Sequence, residues 1–202
     1  MFLKNLTMKI YYVIITIVLV FLSCGEKNDI GSCENTELIK FRGLSFQFPI
    51  TGKDVIKKGT GIVRNMSGVI RTDFPGSQGT INWYFMNRTD TINHVDTTIL
   101  AESKIYAATI FLEGESKKTD LEIIEELQKE FPGEFVYIED RYFPYYVYNT
   151  DCLSIIVRRD LMATSKFTSI RIPTVSFCYG FTDKQVKNYA KSLGHIGSRL
   201  IN

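Results

Sequence analysis

The sequence predicts an α+β domain, a mainly antiparallel sheet with two amphipathic helices packed on it. Three observations predict this class. Short β-forming segments bounded by turn residues fill most of the chain. Two segments instead space their apolar residues at helical intervals. The order is many strands, one helix, several strands, one helix, which differs from the alternation of βαβ units.

Leu44, Phe46 and Phe48 alternate with Ser45 and Gln47, a half-buried strand that Pro49 ends. Gly59-Thr60-Gly61 and Pro75-Gly76 punctuate as turns. Between them Ile62-Val63-Arg64 and Gly68-Val69-Ile70-Arg71 read as short strands, and residues 80–86 as another, rich in β-formers. Residues 104–112 are apolar on both faces, the mark of a central strand. Thr119 and Glu122 form a capping box ahead of Leu121, Ile124, Leu127 and Phe131, so a helix starts there and Pro132-Gly133 stops it. Strands resume at 135–138, 145–148, 153–158 and from 169 to 177. The last helix begins at Thr182, capped with Gln185, and Gly194 reads as its C′ residue.

Of the residues, 45% are hydrophobic and 13% aromatic, enough for a packed core in a chain of 202. The net charge is +2, and Lys4 and Lys9 account for it, leaving 22 bases and 22 acids after residue 23. A near-neutral domain lacks the basic excess that phosphate neutralisation requires, so no nucleic-acid partner is expected. Arg158-Arg159 reads as solvated charge at a strand end.

Lys4 and Lys9 precede an uncharged run of 13 residues, Ile10 to Leu22, too short to span a bilayer comfortably. A basic start, a short apolar run and a small residue describe a secretory signal. Phe21-Leu22-Ser23-Cys24-Gly25 follows, and it resembles the lipobox of bacterial lipoproteins. The resemblance covers the first 25 residues. It implies that the Cys24 thiol is diacylated, that the chain is cleaved before Cys24, and that the product is anchored in the cell envelope, in an outer rather than an inner membrane. The residue readings left open are an uncleaved signal anchor and a cleaved signal with Cys24 free. The expected organisation is a signal peptide at 1–23, a flexible tether at 24–37 and one domain at 38–202.

With Cys24 lipidated, Cys33, Cys152 and Cys178 remain, an odd number. An antiparallel hairpin centred on residue 165 would bring Cys152 opposite Cys178, and these two are the expected disulfide. The alternative is two buried, inert thiols. No C-x-x-C or H-x-x-x-H pair suggests a metal, and no cofactor is expected.

Candidate chemistry is sparse. His94 lies in a polar turn and His195 follows the last helix, with no G-x-S-x-G elbow to partner either. Glu139-Asp140 reads as a solvated turn, and Glu125, Glu126 and Glu130 as the wet face of a helix. Gly59-Thr60-Gly61 is too short for a phosphate cradle. Asp90-Thr91-Ile92 and Asp96-Thr97-Thr98 resemble O-glycosylation acceptors of bacterial envelope proteins. The most unusual composition is Tyr142-Phe143-Pro144-Tyr145-Tyr146-Val147-Tyr148. Tyr142, Tyr145, Tyr146 and Tyr148 are the candidate partner-binding edge, because Pro144 suggests an edge strand. The competing reading puts Tyr142, Pro144, Tyr146 and Tyr148 on one face and packs Phe143, Tyr145 and Val147 into the core.

Three classes follow from this sequence. The first is a non-catalytic envelope lipoprotein that binds a protein partner, one version being an immunity or inhibitor lipoprotein that neutralises a toxin. The others are an enzyme acting on envelope material and an assembly accessory of a membrane complex.

Overall fold

The computed structural model describes residues 33, 35–58, 64–66, 69–74, 79–85, 104–141, 143–163 and 169–199. They form mostly antiparallel sheet with short helices, broadly α+β, in a compact unit that begins at Cys33. None of the described helices is long and apolar enough to cross a membrane.

Strands β1 (Glu37–Phe41) and β2 (Leu44–Phe48) make a separate hairpin. Alternation puts Ile39, Phe41, Phe46 and Phe48 on its buried side. Arg42 and Gly43 turn the chain with φ of 48° and 82°, so both loop residues are left-handed as a type I′ turn requires. The Phe48-Pro49 peptide is cis.

The remaining strands are β3 (Ile50–Thr51), β4 (Arg64–Met66), β5 (Val69–Asp73), β6 (Thr80–Phe85), β7 (Lys104–Phe111), β8 (Val136–Ile138), β9 (Tyr145–Asn149), β10 (Leu153–Ala163) and β11 (Ser169–Tyr179). Among the described residues they form one sheet in the order β4-β5-β6-β7-β11-β10-β9-β8, with β3 pairing the start of β7. The doubly apolar β7 lies in the middle, as its composition predicts.

Among the described residues three α-helices join the strands: α1 (Gly52–Lys58), α2 (Asp120–Leu127) and α3 (Asp183–Arg199). Thr119 caps α2 in a reciprocal box with Glu122. Thr182 and Gln185 exchange the same pair of bonds at the start of α3. Helix α1 escaped the sequence reading, although Thr51 carries its signal by accepting a bond from the Asp54 N–H at 3.2 Å. Gly194 does not end α3, which continues to Arg199. A glycine inside a helix weakens it by about 1 kcal/mol without forcing a stop.

The two faces of the long sheet are covered differently. On one, Ile81, Trp83, Ile110, Ile155, Val175 and Phe177 pack with the β1–β2 hairpin and with Ile123, Ile124 and Leu127 of α2. On the other, Ala107, Tyr145, Val147, Ile156 and Cys178 pack with Val186 and Ala190 of α3.

Candidate functional site

Four places gather groups with chemical potential. The first is a polar layer between the sheet and α3. Leu153 pairs with Tyr179 across the β10–β11 hairpin, and this register aligns Arg158 with Thr174 and Asp160 with Ile172. Alternation then turns Arg158 and Asp160 toward α3. Arg158 is 0% exposed, not the solvated strand-end charge its sequence suggested, because β10 runs on to Ala163 and leaves it in mid-strand. Its guanidinium donates to Asp160 Oδ1 and to the Ala190 carbonyl, and lies 5.4 Å from the Phe143 ring centre. Thr174 Oγ1 donates to Asp160 Oδ2 at 3.2 Å. Beside them the hydroxyls of Thr109, Ser176 and Tyr189 are linked at 2.8 and 3.0 Å. Burial pushes the Tyr84 phenol up to about 12, and burial also raises Tyr189 well above its ordinary value. Arg158 Nε and Asn82 Oδ1 find no hydrogen-bond partner among the described residues. The layer fastens α3 to the sheet, and its ionisable groups are withdrawn from solvent.

The second is an ion-pair knot at the hairpin turn. Arg42 bridges Glu115 and Glu126, and Lys118 also pairs with both carboxylates. Glu126 is therefore half-buried and engaged rather than on the wet face of its helix. Burial alone would raise its pKa, but the hydrogen bonds from Lys118 and Arg42 outweigh burial and hold it below the ordinary carboxylate value. These bonds also explain why a non-glycine residue holds a left-handed conformation at position 42.

The third is the β8 edge. The tyrosine-rich segment does not form the outermost strand: β8 pairs β9 through Val136↔Val147, Tyr137↔Tyr146 and Ile138↔Tyr145. Tyr145 is buried on the α3 side, while Tyr146 and Tyr148 are half-buried against the opposite core. The chain doubles back after Phe135, whose ring stacks on Tyr148 at 5.3 Å, and so covers the proposed edge. Tyr142 lies outside the described residues. The exposed apolar residues here are Val136 and Tyr137, 50% and 52% accessible. Along the chain, exposed Glu134 and Glu139 flank this strand, and exposed Arg141 follows. Asp140 is half-buried and accepts the Phe143 N–H at 3.1 Å, so it shapes the turn and does not pair with Glu139 as an acid–base couple.

The fourth is the pole at which the described chain begins. The disulfide is Cys33–Cys152, with Cα atoms 5.5 Å apart, and not Cys152–Cys178. The hairpin register is the reason. It pairs Cys178 with Ser154, while Cys152 lies in the bend ahead of β10 and accepts a bond from the Gly180 N–H at 2.7 Å. Cys178 is a buried free thiol whose pKa burial raises. The Tyr179 hydroxyl donates to the carbonyls of Cys33 (3.0 Å) and Asn35. The stretch expected to be a tether is thus bound to the fold from Cys33 onward.

Cys24, His94, Gly59-Thr60-Gly61, Asp90-Thr91-Ile92 and Asp96-Thr97-Thr98 lie outside the described residues. His195 falls within α3. Among the described residues, no three His, Cys, Asp or Glu side chains converge to hold a metal ion. Arg158 and Asp160 were separable from ordinary surface charge only by their i, i+2 spacing inside an apolar run. The chain matches no protein-family model, no curated protein and no solved structure.

Proposed function

We propose that this chain is a membrane-anchored envelope lipoprotein whose α+β domain, with two amphipathic helices on its sheet, is a non-catalytic binding module. The observation that carries the proposal is the 13-residue apolar run that stops at Ser23-Cys24-Gly25. It implies a leader at 1–23 and an acylated Cys24, and we place the anchor in an outer rather than an inner membrane. An intramolecular disulfide supports the same reading, because such bonds persist in oxidising compartments and are rare in the cytosol. Arg158 and Asp160 are buried under α3, which withholds this pair from any substrate. The test is metabolic labelling with an alkyne fatty acid. The wild-type chain should take up label and fractionate with membranes, and Cys24→Ala should do neither. A wild-type chain without label would overturn the anchor.

The β8 rim supports a narrower version. Exposed Val136 and Tyr137, flanked along the chain by Glu134 and Glu139, suit a protein partner that brings an apolar contact and a basic group, as an immunity or inhibitor lipoprotein would need for a cationic toxin. Tyr137→Ala with Glu134→Lys should abolish protection against such a toxin in a co-culture assay without lowering fatty-acid labelling. Unchanged protection would remove the rim from consideration.

A further inference from the structure

We infer that the pole bearing Cys33 and α1 lies against the membrane surface, with Lys53, Ile56 and Lys57 of α1 contacting anionic headgroups. The inference rests on the anchored-lipoprotein reading of Cys24 and adds an orientation to it.

The argument starts from the disulfide. Cys33 is held to the fold by its bond to Cys152 and by Tyr179. Eight residues, 25–32, separate it from Cys24. Nine Cα steps reach at most about 30 Å. A folded unit of this size has a radius of gyration of about 15 Å. A sphere with that radius of gyration is about 39 Å across, more than nine steps can span, so an anchor at Cys24 keeps the Cys33 pole nearest the bilayer.

The sheet brings α1 to this pole. Tyr179 stacks on Tyr106 of β7 at 6.4 Å between ring centres. Two positions further out, Lys104 pairs with Thr51, and α1 begins at the next residue. Lys53, Ile56 and Lys57 stand at i, i+3 and i+4 and share one stripe, while Val55 is buried on the other side. All three are exposed, Ile56 by 41%. An apolar side chain between two lysines is the side-chain set of an interfacial helix, in which ammonium groups meet lipid phosphates and the aliphatic group enters the headgroup boundary. Asp54 lies off this stripe, bonded to the Thr51 hydroxyl at 2.6 Å.

The test uses the full acylated chain in vesicles of phosphatidylethanolamine and phosphatidylglycerol whose acyl chains carry bromine, a quencher of tryptophan fluorescence. Ile56→Trp is compared with Leu161→Trp, an exposed position eight residues along β10 from Leu153, toward the far end of the sheet. Native Trp83 is buried and serves as a constant background. Quenching at least twofold stronger at position 56 than at 161 is expected, and Lys53→Glu with Lys57→Glu should reduce it. Equal quenching, or stronger quenching at 161, in protein that carries the fatty acid would overturn the orientation and leave the anchor standing. Protein without fatty acid would overturn the anchor, and this surface with it.

Discussion

The two faces of the long sheet are closed by different means. The face under the β1–β2 hairpin and α2 is closed by aromatic and aliphatic side chains, with Phe46, Phe48, Trp83 and Phe177 in ring contact. The face under α3 is laced with Arg158, Asp160, Thr109, Thr174 and Ser176. The first gains stability with area and shape. The second gains it only while each polar group keeps its partner. The same sheet therefore tolerates different errors on its two sides.

The comparison can be broken most directly at Phe177, which is fully buried. Phe177→Ala should cost about 3–5 kcal/mol of unfolding free energy by urea titration, through lost transfer energy and the cavity left behind. Asp160→Ala should cost about 3 kcal/mol or more, because Arg158 then keeps a buried charge without its carboxylate. Replacing both, Arg158→Met with Asp160→Leu, should recover most of that loss. If the double variant is no better than the single one, the polar face is held by something other than this pair. The disulfide sharpens the comparison from outside the core. Cys152→Ser opens a loop with a sequence separation of 119 residues and should cost about 3 kcal/mol. Peptide mapping without reduction should recover Cys33 joined to Cys152, and Cys178 should react with alkylating reagents only after unfolding. Smaller still is Thr119→Ala, which removes the α2 cap and should cost about 1 kcal/mol.

The pH dependence has a definite sign at the ion-pair knot. The Glu126 carboxyl is held below its ordinary value of 4.5 in the fold. Its contribution is therefore complete above that value and is lost as pH falls through the lower, folded one. Glu126→Gln should flatten the acid limb of the stability profile below about pH 4.5 and leave the neutral plateau lower and level. An unchanged acid limb would show that the knot adds nothing measurable.

Much of the fold was legible because its signals are short-range. The capping boxes at Thr119 and Thr182 each involve residues three apart. The alternation of Leu44, Phe46 and Phe48 and the doubly apolar run of β7 likewise need no distant partner to be read. The candidate sites were much less legible. The hairpin centre inferred near residue 165 missed the true register, Leu153↔Tyr179, by one position at the turn. That displaced each cross-strand partner by two, enough to assign Cys152 to Cys178. The tyrosine segment read as an edge because nothing in it announces that three residues from further upstream, Val136–Ile138, fold back over it.

Residue order alone determined where α2, α3 and most of the strands start, which side of a half-buried strand is apolar, and that an apolar run ends at a cysteine, since backbone propensity and side-chain periodicity act over a few residues. Tertiary structure decided which strand became an edge, which two of Cys33, Cys152 and Cys178 were joined, and whether Arg158 met water or Asp160. These outcomes depend on strand register and on what covers each face, and both are set by contacts between segments up to 119 positions apart.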